Sequence, residues 1–348
     1  MNIKFLKDSI EIFNRRISTC AEGRYIYCWI DMLWCYICFG ASPEDYFRYE
    51  LYRKSNYEKN RFTTYRRSQK LIKTYNNPGE IAKVLDKRIA NKIFADFISR
   101  EWLDTESCGY DDFQRFLLKH KEIIVKPVAG GSGKGVCKYS YREGDNLEQK
   151  FREIKGSMVE EVIEQHKAMN SLNPSSVNAV RLVTFFDGQI CNIIVSYLKI
   201  GAHQSVVDNT NAGGLFGKID AGTGIVFTSC VDNHFQRYLV HPMSGIQIIG
   251  FKIPNWEILL ETVKKAALLV PELKYLGWDF AILDDGVEFI EANHDPSHIG
   301  QMVDQAGTYE FFRRCIMNLK KHETSMPAAK ANGYKTCSQK PSWRRRRE

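Results

Sequence analysis

EIIVKPVAGGSGKGVCKYSY, residues 122–141, is the stretch on which the fold turns. Glu122–Pro127 has the β-branched content of a short strand, and Val136–Tyr141 reads as a second one. Between them runs Ala129-Gly130-Gly131-Ser132-Gly133-Lys134-Gly135. Glycines packed this densely let the backbone approach a ligand and turn several N–H groups toward it, which suits phosphate. Lys126 and Lys134 add positive charge at the edges. A P-loop needs Gly-Lys followed by Ser or Thr and then a helix. Here Gly135 and a strand follow Lys134, so that class is disfavoured. On this stretch alone, a phosphate cradle and a plain hairpin tip are both open.

A second hairpin lies far downstream, WDFAILDDGVEFIEAN, residues 278–293. Asp284-Asp285-Gly286 is its turn signal. A three-residue turn there sets Asp279 directly opposite Glu291. Asn293, two residues on, then emerges on the same face. Oxygen-only donors of this kind suit Mg²⁺, which takes few carboxylates and completes its shell with phosphate and water. Two opposed carboxylates without a cation repel. An exposed polar sheet face is the competing reading, but both acids sit inside apolar strands, where a charge needs a partner.

Around these two hairpins the chain mixes helices and strands. Residues 1–80 read as helical and aromatic-rich, with Ser42-Pro43-Glu44-Asp45 as a capped helix start. Asn76-Asn77-Pro78-Gly79 is a boundary turn. Asp86–Arg100 has helical periodicity, and Met158–Ile163 reads as a strand. Asn178–Phe186 and Gln189–Ile200 form a hairpin about Asp187-Gly188. Residues 201–250 suit long functional loops, Trp256–Val270 an amphipathic helix, and residues 308–321 a closing helix. Mixed strands and helices with two hairpins make the class α+β or α/β, not a bundle. Tyr25–Phe39 is the most apolar stretch, carries Asp31, and is shorter than the ~20 residues a bilayer span needs, so it reads as a core helix.

Composition narrows the functional classes. The 348 residues, 44% hydrophobic and 26% charged, have the balance of an ordinary soluble protein of two or three subdomains. The net charge of +8 is mostly local: residues 329–348 carry seven Lys or Arg against one acidic residue. A basic tail is weak support for nucleic acid, and none is expected as a partner; peripheral membrane contact through Arg344–Arg347 is the most the tail suggests. The ten cysteines show no framework spacing and sit in apolar runs, which fits a reducing compartment. No secretory signal precedes the first helix, and a cytoplasmic location is expected. Ser/His/Asp and Cys/His nucleophile patterns are absent from the sequence.

Taken in order, these pieces resemble the ATP-grasp superfamily: Asp86-Lys87, Val125-Lys126-Pro127 with the glycine-rich loop, Val159-Glu160-Glu161-Val162-Ile163, and Trp278-Asp279 through Ile290-Glu291-Ala292-Asn293. Phe39-Gly40-Ala41-Ser42-Pro43-Glu44-Asp45-Tyr46-Phe47, Asn173-Pro174-Ser175-Ser176-Val177-Asn178 through Arg181, and Val207-Asp208-Asn209 through Gly213-Gly214 resemble more narrowly the sugar-transfer-associated ATP-grasp family, found in surface-polysaccharide contexts. The resemblance implies an α+β fold in which two subdomains sandwich ATP, one bearing the glycine-rich loop (81–165) and a second bearing the metal site (166–322); the composition adds a helical N-terminal region (1–80) and a disordered basic tail (323–348). It implies ATP and Mg²⁺ as cofactors. Lys87 and Lys126 would contact phosphates, and Gly130, Gly131, Ser132, Gly133 and Lys134 would close over them. Glu161 and Ile163 would edge the adenine, with Glu164 or His166 at the ribose. Asp279, Glu291 and Asn293 would hold the metal. Arg181 and Lys199, with Lys126, would neutralise phosphate charge. Asn178, Asn209, Asn211, His294 and His298 are acceptor-side candidates.

One departure stands out. Carboxylate–amine ligases of the superfamily often carry an Arg two residues before the first metal carboxylate, and here that position is Gly277. Either Arg181 serves instead or the chemistry differs. The resemblance thus implies a ligase working through an acyl-phosphate, on a small-molecule or glycan-intermediate substrate. Direct phosphorylation of a sugar or alcohol, a non-catalytic nucleotide binder, and nucleic-acid binding through the tail are the other classes weighed.

Overall fold

The computed structural model of the chain describes residues 10–14, 16, 25–130, 133–201, 208 and 213–325. Its helices are α1 (Tyr25–Phe39), α2 (Pro43–Arg48), α3 (Tyr65–Tyr75), α4 (Lys87–Ile93), α5 (Tyr110–His120), α6 (Leu147–Glu153), α7 (Lys167–Leu172), α8 (Trp256–Leu268) and α9 (Tyr309–Ser325), with single turns between some of them. Local sequence sets several of the starts. Ser42 and Asp45 exchange capping hydrogen bonds at the head of α2, with Pro43 in its first turn. Asp86 caps α4 through the Arg88 N–H. The Asp86–Arg100 periodicity overreaches: α4 ends at Ile93, a short 3-10 turn spans Ala95–Phe97, and Arg100 leaves the helical path for a buried ion network.

β1 (Trp102–Asp104), β2 (Glu122–Pro127), β3 (Cys137–Ser140) and β4 (Ser157–Glu161) form an antiparallel sheet in the order β1-β4-β2-β3. The period of two divides its residues. Ile123, Val125 and Val159 pack with Phe113, Phe116 and Leu117 of α5. Ile124, Lys126 and Glu160 therefore point the other way, toward the second sheet.

That sheet is built from β5 (Val180–Phe186), β6 (Cys191–Ile200), β7 (Leu215–Ile219), β8 (Cys230–Val231), β9 (Arg237–Tyr238), β10 (Tyr275–Ile282) and β11 (Val287–Asn293), ordered β11-β10-β5-β6-β7-β8-β9. Both faces are covered. Val180, Leu182 and Leu198 pack on Leu259 and Val263 of α8 and on Phe94. Val183, Phe185 and Tyr275 pack on Phe312 of α9, in a cluster that also takes Cys28, Met32 and Cys35 of α1 and Tyr46 and Phe47 of α2. Each such fully buried apolar side chain is worth about 1.5–3 kcal/mol. Trp278 belongs to this interior: it is fully buried, and its Nε1 donates to Thr184 Oγ1 at 2.9 Å.

The two sheets are tied by one guanidinium. Arg100 Nε donates to Glu160 of β4 at 2.9 Å, and Nη1 donates to Glu288 of β11 at 2.7 Å and to the Phe289 carbonyl at 2.7 Å. All three side chains are almost wholly buried.

α1 departs from the core-helix expectation. Cys28, Asp31, Met32 and Cys35 are buried, with Asp31 held by Lys59 at 2.5 Å and by the Tyr46 hydroxyl at 3.0 Å. Its opposite face is open. Among the described residues, no helix is long and apolar enough to cross a membrane.

Candidate active site

Between the sheets lies a cavity of about 420 Å³. Ile124 and Lys126 line it from β2, Gly130, Gly133 and Lys134 from the glycine-rich loop, and Lys199, Asp279, Ile290 and Glu291 from the large sheet. Glu161, Val162, Ile163, Glu164 and Gln165 form the edge where the chain passes from one sheet toward the other. A smaller cavity of about 160 Å³ shares Lys87, Gly130 and Glu291 with the first and continues past Asn293 and His294.

The small-sheet wall is a buried cation with a shared counter-ion. Lys126 Nζ lies 2.6 Å from Glu160 Oε1. Burial pushes the Glu160 carboxyl up, but Arg100 and Lys126 together outweigh it and hold it at about 2. Burial pulls the Lys126 ammonium down, and Glu160 restores it only in part because Arg100 repels it. Lys126 is thus a cation with one half-claimed partner, aimed into the cavity. Lys87 starts α4 beside it: its N–H donates to the Val128 carbonyl at 3.0 Å and its Nζ to the Gly130 carbonyl at 2.9 Å. The loop needs its glycines. Gly130, Gly133 and Gly135 have φ of 117°, 66° and 77°, and a Cβ on Gly135 would come 2.9 Å from Pro127 Cγ. Gly131 and Ser132 lie outside the described residues.

The large-sheet wall is a row of charge. Glu291, Asp279 and Arg181 are directly cross-strand on β11, β10 and β5, so all three side chains emerge on one face. The Asp279–Glu291 pairing expected from the sequence is present, by a different route. The ladder pairs Ile282 with Val287, leaving a four-residue connection, and a bulge between Asp279 and Phe280 restores the register. Arg181 Nε bonds Asp279 Oδ1, and Nη2 bonds Oδ2 at 2.6 Å. Lys199 Nζ reaches Asp279 Oδ2 at 3.2 Å and Asp208 Oδ1 at 2.9 Å. Burial raises the Asp279 carboxyl, but Arg181 and Lys199 outweigh it and drive it well below the carboxylate range. Burial lowers both cations, and their acidic neighbours more than reverse it.

Gly277 now has a physical reading. A Cβ there would meet Pro296 Cβ at 2.9 Å and Arg181 Cδ at 3.4 Å. The space a side chain at 277 would enter is already taken, in part by the arginine on the neighbouring strand.

The donor set fits a hard cation with few protein ligands. Glu291 is partly open to the cavity, and its Oε1 accepts from Asn293 Nδ2 at 3.2 Å, which fixes the Asn293 amide alongside it. Arg181 Nη2 stands off at 3.9 Å. Asp279, by contrast, already has both oxygens engaged by cations. Among the described residues no three His, Cys, Asp or Glu side chains form a metal cluster, so the remaining ligands of Mg²⁺ would come from phosphate and water.

Two acceptor-side expectations and one ribose-side expectation are corrected. Asn178 is fully buried: its Nδ2 donates to the Met169 and Asn173 carbonyls, each at 2.8 Å, and its Oδ1 accepts from the Gly201 N–H at 3.2 Å. It holds the Asn-Pro-Ser-Ser segment, whose Pro174, Ser175, Ser176 and Val177 line the cavity instead. His298 lines neither cavity; its Nε2 meets Asp45 Oδ1 at 3.0 Å and its carbonyl accepts from the Tyr49 hydroxyl. His166 caps α7 through Nδ1 rather than facing the cavity. His294 lies in the smaller cavity, and Asn209 and Asn211 lie outside the described residues. Asp208, Glu160 and Gln165 also line the cavity. Glu160 carries a signal in the sequence, a carboxylate within Val159-Glu160-Glu161-Val162; Asp208 lies in the Val207-Asp208-Asn209 signature, but nothing local in the sequence joins it to Lys199.

No curated protein matches the chain. Among solved structures, the chain is similar to the ATP-grasp ligase PsnB complexed with minimal precursor, Mg and ADP, at 16% identity and a TM-score of 0.43 over 71% of this chain and 62% of that one. It thus spans less than two thirds of PsnB's length. It is also similar to a D-alanine–D-alanine ligase from Bacillus anthracis, at 14% identity and a TM-score of 0.41, covering 74% of this chain and 76% of the other. Likenesses this distant carry no residue or substrate across. A model of the sugar-transfer associated ATP-grasp family matches residues 66–315, which include both sheets and every wall of the cavity. Because that match takes in well over half of the sequence, the chain belongs to the sugar-transfer associated ATP-grasp family.

Proposed function

We propose that this chain is an Mg-ATP-dependent ligase that activates a carboxylate as its acyl-phosphate and joins it to a nucleophile, an amine above all, with a sugar or glycan intermediate as one partner. The observation that carries the proposal is the convergence of Lys87, Lys126 and Lys199 on one cavity with Glu291, backed by Arg181 bound to Asp279 in the same wall. Mg-ATP bound there supplies an electrophilic γ-phosphoryl group; Glu291 and Asn293, with Asp279 behind them, would hold the metal. Lys126 and Lys87 fix anionic oxygens beneath the glycine-rich loop. Arg181 and Lys199 set positive charge where an entering carboxylate meets the phosphoryl group, so that the two anions approach each other. Positioning and charge do the chemistry, and no side-chain nucleophile is required. In this reading Arg181, whose Cδ would lie 3.4 Å from a Cβ at Gly277, takes the part of the arginine missing at that position.

The test is product mass spectrometry after incubating the protein with Mg-ATP, a panel of amino acids and candidate glycan intermediates. A conjugate lighter than its two parts by one water, with release of ADP and free phosphate, is the expected result. A product carrying an added phosphate mass would make the protein a kinase and reject the ligase.

A further inference from the structure

α1 is apolar on every side, yet only half of it is covered. Its fifteen residues hold one charge, Asp31, which faces inward against Lys59. On the outward face Ile26, Ile30 and Ile37 are 78%, 64% and 72% exposed, and Tyr27 and Trp34 stand beside them about half exposed. These positions recur at helical spacing and form one stripe. A contiguous stripe of large apolar side chains on the outside of a protein marks a docking surface.

The neighbouring helix says what docks. α3, YRRSQKLIKTY, has four Lys or Arg and no acidic residue. Arg66, Lys70 and Lys73 lie on its exposed face. It is joined to the end of α1: the Arg66 N–H donates to the Gly40 carbonyl at 3.2 Å, and the Arg66 and Arg67 guanidinium groups lie 5.2 Å and 5.7 Å from the Tyr36 and Phe39 rings. An apolar strip bordered by cations complements the apolar interior and anionic headgroups of a lipid surface. A second copy seated on the same strip would bring two such basic helices together, which repulsion opposes. At 1.5 Å per residue α1 is about 22 Å long, short of a ~30 Å hydrocarbon core, so it lies along the surface instead of crossing it. Trp34 and Tyr27 suit the headgroup boundary.

We propose that α1, with α3 beside it, seats this protein on an anionic bilayer surface, Ile26, Ile30, Trp34 and Ile37 entering the acyl boundary and Arg66, Lys70 and Lys73 meeting headgroups. The proposal does not depend on the ligase reading. The test is flotation of the full chain with vesicles of phosphatidylcholine alone and of phosphatidylcholine mixed with phosphatidylglycerol. The protein is expected to float only with the phosphatidylglycerol vesicles and to be released as salt rises. The pair Ile30→Glu and Ile37→Glu, or the pair Lys70→Glu and Lys73→Glu, should weaken binding at least about tenfold, with circular dichroism unchanged because every one of these side chains is exposed. Failure to float with phosphatidylglycerol vesicles would overturn the proposal. So would flotation indifferent to the helix substitutions but lost on removing residues 326–348, which would assign it to the tail. A dimer in light scattering that the isoleucine substitutions dissociate, without lipid binding, would give the stripe to a second copy and reject the bilayer.

Discussion

Asp279 and Glu291 face each other across β10 and β11, yet they live in different surroundings. Asp279 is buried with Arg181 and Lys199 on its two oxygens; Glu291 is partly open, with Asn293 alongside and Arg181 no nearer than 3.9 Å. The same amide-for-acid change should therefore act differently at the two. Asp279→Asn removes the counter-charge bound to buried Arg181 and leaves Lys199 with Asp208 alone, and should cost about 3–5 kcal/mol of stability as well as turnover. Glu291→Gln removes a charge that no protein cation approaches closer than Arg181 at 3.9 Å among the described residues. It should lower ATP turnover about 100-fold or more while chemical denaturation shows stability changed by less than about 0.5 kcal/mol. Turnover near wild type in Glu291→Gln would remove this residue from the metal site. Equal stability losses in the two variants would mean that Glu291 is a structural ion-pair partner like its neighbour.

The glycine-rich element earns its sequence through backbone geometry. Gly135 combines φ of 77° with a Cβ position 2.9 Å from Pro127 Cγ. Gly144 has φ of 93° with open space around it and lies outside the cavity lining. Both Gly→Ala changes meet the left-handed penalty of about 1–2 kcal/mol, but only Gly135→Ala must also displace the loop. We expect its KM for ATP to rise several-fold, roughly up to tenfold, while Gly144→Ala loses some stability and keeps its KM. Equal KM values for the two would argue that the loop does not contact nucleotide. Elements like this one were legible because their chemistry is local: a strand, a run of glycines, then a strand, or a period of two that puts Asp279, Glu291 and Asn293 on one face. What the sequence hid were relations between elements. Arg100 reads as the end of a helix until Glu160 and Glu288, from different sheets, are seen around it. Asn178 and His298 have polar character that suits a ligand, but burial and hydrogen bonds from distant segments claim them first. The connection of the second hairpin is one residue longer than Asp284-Asp285-Gly286, and the bulge beside Asp279 offsets the difference.

At the scale of the molecule, two sheets are held across a cavity by buried charge, and that has consequences for both pH and ligand. Glu160 ionises at about 2 in the folded chain against an ordinary 4.5, and Asp279 and Asp45 are also depressed. Depressed carboxyls stabilise the fold above their ordinary ionisation range and lose that contribution as they are protonated. Stability measured by urea unfolding should therefore be steady above about pH 5 and fall steadily from about 4.5 toward 2, with net proton uptake on unfolding throughout that window. A flat profile there would mean that the Arg100–Glu160–Lys126 network is open to water. Ligand acts on the same construction from the opposite side. Mg-ATP would touch β2, the glycine-rich loop and β10–β11 at once, and only the folded chain presents them together. At a hundred times its dissociation constant a ligand of that kind adds about 2.7 kcal/mol, which for a protein of this size is a rise in Tm of several degrees. Mg-ATP should produce that rise in the full chain, and Lys126→Met should lose most of it, because Lys126 is the cation at the back of the cavity whose counter-ion is shared with Arg100. If wild type and Lys126→Met melt alike with and without millimolar Mg-ATP, the cavity between the sheets is not where the nucleotide sits.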